Sequence, residues 1–141
     1  LLEALGINLN PSTAAQLQML QDVGFAFIFA INHHPAMKHI MPIRKSLTHR
    51  TIFNILGPLT NPSGATKYLL GVFDPAYIDK MAQALVELGA SKAFVVSSYD
   101  GMDEISISTR SAFAYVSEGK VLEGEINPEL YGLSLTPKEA I

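Results

Sequence analysis

Three clusters in this 141-residue chain carry side chains able to do chemistry. The first is Asp100-Gly101-Met102-Asp103-Glu104, three carboxylates within five positions, just after the apolar run Phe94-Val95-Val96. Hard cations take oxygen ligands, and Mg²⁺ characteristically takes one or two carboxylates, with waters and substrate phosphates completing its shell. An Asp-Gly turn that carries acids by chance is the structural alternative. The second cluster is His33-His34-Pro35-Ala36-Met37 and the basic stretch after it, with Lys38, His39, Arg44 and Lys45. The planar fork of Arg44 suits a carboxylate or phosphate, and imidazoles can donate to an anion near neutral pH. The histidine spacing fits no standard zinc pattern. His34-Pro35 also reads as a helix start, and Lys38 and Lys45 as solvated surface charges. The third cluster is Asn54-Ile55-Leu56-Gly57-Pro58-Leu59-Thr60-Asn61-Pro62, where a rigid Gly57-Pro58 corner could wall a flat pocket or be a plain turn. No nucleophile elbow, Gly-rich phosphate loop or Walker sequence is present. The residues alone reach a Mg²⁺-assisted site for an anionic ligand.

Composition bounds the rest. Apolar residues make up 48% and charged residues 16%, which excludes disorder as a description of the whole chain. The absence of Cys removes disulfides, thiolate metal sites and thiol nucleophiles together. It suits a reducing cytoplasm, the expected location. A net charge of −3 gives no footprint for nucleic acid. Residues 1–60 hold four Lys/Arg against two acids, and residues 61–141 hold six against eleven. The longest apolar run, Val23 to Ile31, is far short of the ~20 residues that span a bilayer.

These clusters need a scaffold. Asn10-Pro11 reads as a helix start and Gly24 as its end. Phe25 to Ile31 reads as a buried strand or core segment. A second helix is expected from Pro35 to about Leu47, interrupted by Pro42. Thr51 to Leu56 is apolar, with Gly57 to Pro62 as a loop of breakers. Tyr68 to Phe73 reads as a strand. Asp74-Pro75 opens a helix whose Ile78, Met81, Ala82, Leu85 and Val86 form one apolar stripe, ended by Gly89. Ala93 to Val96 is a further buried strand. Phe113 to Val116 and Lys120 to Ile126 form a hairpin about Glu118-Gly119. Strand, helix and strand from about 68 to 98 make one βαβ unit, so the expected fold is α/β with a mixed, mainly parallel sheet flanked by helices. Ligands in such sheets sit at the carboxyl ends of strands, here the loops after Ile31, Phe73 and Ser98.

The three clusters, in this order, resemble the anthranilate phosphoribosyltransferase family. The resemblance rests on His33 to His39, on Pro42-Ile43-Arg44, and on Arg50 to Pro62. It continues through Gly71-Val72-Phe73 and Asp100-Gly101-Met102-Asp103-Glu104-Ile105, and it covers essentially the whole chain. It implies a catalytic domain of the nucleoside phosphorylase and phosphoribosyltransferase type. It also implies attack of the anthranilate amine on C1 of phosphoribosyl pyrophosphate, with pyrophosphate leaving on Mg²⁺. Carried over motif by motif, Arg44 would bind the anthranilate carboxylate, His34 would line its channel, and Gly57 and Pro58 would wall it. Asp103 and Glu104 would hold the metal. Two departures are Ile31, where Pro is common, and Ser97-Ser98, where His-Gly is common.

The family's Gly-Thr-Gly-Gly-Asp loop, and the small helical domain through which the parent enzyme would form a homodimer, are not in this sequence. The chain opens Leu1-Leu2-Glu3 and closes on Thr136-Pro137-Lys138-Glu139, which reads as a helix start. Residues 1–141 are therefore expected to form part of a larger α/β domain, inactive by itself. Two other readings stay open: a non-catalytic anion- or partner-binding module, and a relative of the pyrimidine nucleoside phosphorylases.

Overall fold

The computed structural model describes residues 2–33, 43, 47, 51–61 and 63–140, in two compact units, Leu1–Thr51 and Ile52–Ile141. The second unit is built on a four-stranded sheet in sequence order: β1 (Lys67–Gly71), β2 (Lys92–Ser98), β3 (Ser111–Ser117) and β4 (Lys120–Ile126). β1 pairs parallel with β2, while β2–β3 and β3–β4 pair antiparallel. The sheet is mixed, as the sequence implies, but among the described residues antiparallel pairs outnumber parallel ones. The chain supplies one βαβ crossover, whereas β3 and β4 are joined by the two-residue turn Glu118-Gly119, which can only pair antiparallel, and β2 meets β3 antiparallel across the loop 99–110.

The crossover is a helix, Ile78–Glu87. Ile78, Met81, Ala82 and Leu85 along it are buried, and they pack with Leu70, Ala93, Val95, Ala114 and Val116 into the core. The i, i+3, i+4, i+7 spacing puts these residues on one stripe, and the strand positions alternate so that one sheet face meets it. Asp74 does not cap this helix directly. Its carboxylate accepts from the Ala76 N–H at 2.9 Å and caps a 3-10 turn, Pro75–Tyr77, that leads into the helix. Gly89, at φ +79°, closes the far end, with the Ala90 N–H reaching the Leu85 carbonyl at 2.9 Å. The β3–β4 turn has positive φ at both Glu118 (52°) and Gly119 (71°), which matches the right-handed twist of its strands.

A short helix, Phe53–Leu59, precedes β1 and packs Ile55 and Leu59 against the same core. Gly57 and Pro58, expected in a loop, are its last turn. Pro58 has no N–H to donate back along the helix, and the helix continues only one residue past it. The Thr60 hydroxyl, 3.3 Å from the Leu56 carbonyl and 3.0 Å from that of Gly57, closes the end. Lys138–Ala140, directly after Pro137, form a 3-10 helix where a helix start was expected.

In the first unit, α1 (Thr13–Val23) is capped by Ser12, whose hydroxyl accepts from the Ala15 N–H at 3.2 Å. Asn10, the expected cap, instead accepts a hydrogen bond from the Asn32 amide at 3.0 Å. Gly24, at φ +74°, ends the helix as expected. Phe25 to Ile31 is not a strand. Residues 25–29 have no regular structure, and Ala30–His33 is one helical turn, α2. An apolar run is a strand only where another strand pairs with it, and period alone cannot tell it from other buried segments. Phe25 is 71% exposed, and the Phe27 and Phe29 rings stack on each other at 6.3 Å. The loop after Ile31 therefore loses its standing as a strand end. Most of the expected Pro35–Leu47 helix lies outside the described residues; Ile43 is helical and Leu47 is not. We number the helices of the second unit α3 (Phe53–Leu59) and α4 (Ile78–Glu87).

Leu85 is fully buried in the α4–sheet layer. Its replacement by Ala should cost roughly 2–5 kcal/mol through lost burial and a residual cavity. Leu88→Ala, one position past α4 and 59% exposed, should cost far less. Urea unfolding midpoints of the two variants check this.

Candidate functional site

The neighbouring parallel strands β1 and β2 run toward the same end, with Gly71 opposite Val96, and the acidic segment leaves from Ser98 at the end of β2. Its first acid is fully engaged. Asp100 Oδ1 accepts from the Ser98 hydroxyl and, at 3.1 Å, from the Met102 N–H. Asp100 Oδ2 accepts from the Ser106 hydroxyl at 2.6 Å and from the Ser108 hydroxyl. Partial burial on its own would raise this carboxyl. The hydroxyls of Ser106, Ser108 and Ser98 and the Met102 N–H outweigh burial and hold it well below the usual carboxylate range. The network extends to the Ser106 N–H, which donates to the buried Ser111 hydroxyl at 3.1 Å. Ser97, beside Ser98, leaves a buried hydroxyl without a hydrogen-bond partner among the described residues.

The other two acids are the reverse. Asp103 and Glu104 are exposed, and neither carboxylate is engaged by a hydrogen bond or ion pair among the described residues. The backbone beneath them is tightly seated. A Cβ built on Gly71 would lie 1.7 Å from the Asp103 carbonyl oxygen, so only glycine at the end of β1 admits the loop. On the outer side, the Lys138 ammonium donates to the Asp100 carbonyl at 2.6 Å, and the Thr136 N–H to the Ile107 carbonyl at 3.1 Å. Tyr99 anchors the loop to the hairpin, donating from its hydroxyl to Glu125 Oε1 at 2.5 Å. That bond raises the Tyr99 pKa above its ordinary value.

This donor set suits Mg²⁺. No group of three or more His, Cys, Asp or Glu that could cage a metal exists among the described residues. Two adjacent free carboxylates are nevertheless what Mg²⁺ takes from protein when phosphate oxygens and waters supply the remaining ligands. Of the three acids that the sequence offers, the structure leaves Asp103 and Glu104 available and commits Asp100 to the loop. Gly57 and Pro58 are exposed at the end of α3, in the same unit. His34 and Arg44 lie outside the described residues. Sequence reasoning missed Ser98, Ser106, Ser108 and Gly71 as the loop's supports. The available signal was the density of hydroxyls in Ser106-Ile107-Ser108-Thr109-Arg110-Ser111 directly after the acids.

Two outcomes follow from this geometry. Because its folded-state pKa is lowered, Asp100 contributes stability above its unfolded pKa of about 3.9, and that contribution drains away as pH falls below it. The stability gap between the parent and Asp100→Asn should be largest at pH 7 and shrink below about pH 4, as read from urea midpoints at the two pH values. Gly71→Ala should displace the Asp103 backbone, lowering the melting temperature and weakening any Mg²⁺ binding by the loop.

Over residues 1–141 the chain matches the family described as "Glycosyl transferase family, a/b domain". It is 46% identical over 140 residues to the anthranilate phosphoribosyltransferase of Albidiferax ferrireducens, covering 99% of this chain and 40% of that protein. It is 49% identical over 133 residues to that of Rubrobacter xylanophilus, covering 94% of this chain and 39% of that protein. Among solved structures it resembles the anthranilate phosphoribosyltransferase from Saccharomyces cerevisiae in complex with 4-fluoroanthranilate. The TM-score there is 0.81 at 27% identity, over 99% of this chain and 42% of the other. The same yeast protein in complex with PRPP and Mg gives a TM-score of 0.82 at 28% identity, over 96% of this chain and 38% of the other. The chain thus spans about two-fifths of the length of the relatives it matches. Sequence match and fold agree, and the chain belongs to the glycosyl transferase family through its α/β domain.

Proposed function

We propose that the polypeptide carrying this chain transfers the 5-phosphoribosyl group of phosphoribosyl pyrophosphate to the amine of anthranilate, releasing pyrophosphate. This is the second step from chorismate in tryptophan biosynthesis. The observation that carries the reading is the pair Asp103–Glu104, free of internal partners on a loop locked at the ends of β1 and β2. The relatives named for this reaction, and the yeast structure holding PRPP and Mg, support it.

In this reading Asp103 and Glu104 are the residues that would hold Mg²⁺ for the pyrophosphate. When bound, the ion neutralises charge that builds on the leaving group. Arg44 grips the anthranilate carboxylate with its planar fork and so orients the amine toward C1. His34 lines the ring's channel, and Gly57 with Pro58 forms a rigid wall beside it. The transition state gains most from charge neutralisation and positioning, so a dedicated general base is not required. We place the enzyme in the cytoplasm as a homodimer that acts on small molecules and takes no nucleic acid or membrane partner. No helix among the described residues is long and apolar enough to cross a membrane.

The test is loss of anthranilate fluorescence in the full-length polypeptide, with phosphoribosyl pyrophosphate and Mg²⁺ added or withheld. Turnover should need both. Arg44→Ala should raise the anthranilate KM about 10- to 100-fold, the worth of a charged hydrogen-bonded contact. An unchanged KM would remove Arg44 from the acceptor site. Asp103→Asn and Glu104→Gln should each raise the Mg²⁺ concentration needed for half-maximal rate. Phosphate-dependent cleavage of a pyrimidine nucleoside, without transfer to anthranilate, would overturn the reading.

A further inference from the structure

The four hydrogen bonds to Asp100 divide by oxygen and by position in the chain. Oδ1 accepts from Ser98 and the Met102 N–H, which precede Asp103–Glu104, and Oδ2 accepts from Ser106 and Ser108, which follow them. One carboxylate therefore gathers both ends of the span that carries the two free acids. That span, residues 102–105, has no helix or strand of its own to fix it. Two neighbouring carboxylates repel each other and lose rotamer freedom when a cation brings them together. A backbone fixed beforehand leaves less ordering to be done on binding.

We propose that Asp100 is a positioning residue for the metal and pyrophosphate: by tying residues 98–102 to residues 106–108 it presets Asp103 and Glu104 for the cation without ligating it. The inference rests on reading Asp103 and Glu104 as the metal carboxylates. The chemistry favours an acid at this position. Four donors converge on the side chain, and an amide in its place would keep one oxygen acceptor and could meet Ser106 and Ser108 only by donating to hydroxyls that must turn to accept. Ser106 and Ser108 are the far half of the device. Ser106 is buried, and its own N–H is held by Ser111, so the hydroxyl that meets Oδ2 is fixed from behind.

The experiment measures Mn²⁺ binding, by electron paramagnetic resonance in the presence of pyrophosphate, to the full-length polypeptide and its variants. Far-UV circular dichroism is recorded on each. Asp100→Asn keeps an acceptor for Ser98 and Met102 but replaces the charged acceptor that faces Ser106 and Ser108 with a neutral N–H donor. Ser106→Ala with Ser108→Ala cuts the same tie from the other side and leaves the carboxylate in place. Each should weaken Mn²⁺ binding about 10-fold or more, the usual cost of losing a support behind a metal ligand. The triple variant should lose little beyond either, because all three changes break one linkage. Circular dichroism should stay that of the parent. If Asp103→Asn loses binding while Asp100→Asn and the serine pair bind like the parent, the metal assignment stands and the positioning role is overturned. If Asp103→Asn itself binds like the parent, the metal reading fails and the positioning role fails with it. If Asp100→Asn does not fold, the serine pair decides the matter. Weakened binding with native circular dichroism supports the tie, and parental binding overturns it.

Discussion

The acidic loop of the candidate site is organised around one carboxylate, that of Asp100. Asp100 is held charged by three serine hydroxyls and one backbone N–H, against the pull of partial burial. Its bonds tie the two halves of the loop after β2 together, in a segment that contains no regular element between Gly101 and Arg110. With them, the loop becomes a rigid ledge. Its inner side rests on Gly71, and its outer side is pinned by Lys138 to the Asp100 carbonyl. The free acids then stand at the edge of a fixed support.

The sheet explains why the ledge is where it is. A single parallel pair, β1 with β2, brings Gly71 and Ser98 to the same end. α4 makes that pairing possible by burying its stripe over Leu70 and Val95 as it carries the chain back. The β3–β4 meander then widens the sheet. Through Tyr99 and Glu125 it also fastens the far margin of the loop. Carboxyl ends of parallel strands are the usual place for ligands in open α/β sheets. Here one such pair suffices to build the corner.

Much of this was legible from residues alone. The α4 stripe, its Gly89 stop, the Glu118-Gly119 turn and the strand before the acids all follow from local periodicity and turn chemistry, and the structure agrees on each. The misreadings share a cause. Phe25 to Ile31 looks like a strand because its residues favour one, but strand formation needs a partner that no local pattern can report. Gly57-Pro58 looks like a break because both residues interrupt helices, yet at the last turn their penalties are small. Asn10 was outcompeted as a cap because Asn32, twenty-two residues away, uses its side chain. At the site, the acids were visible as a cluster. The division of labour among them was not, since it depends on hydroxyls at Ser98, Ser106 and Ser108 converging in space. Gly71 was equally silent, because the need for glycine comes from a backbone oxygen thirty-two positions on.

On this assignment two of the three acids serve the metal and the third serves the loop. The decisive measurement is a crystal of the full-length polypeptide grown with Mn²⁺ and pyrophosphate, with anomalous data collected. An anomalous peak is expected in direct coordination with the carboxylates of Asp103 and Glu104, with Asp100 still bonded to Ser106 and Ser108. A peak ligated by Asp100, or a metal that binds pyrophosphate away from this loop, would contradict it.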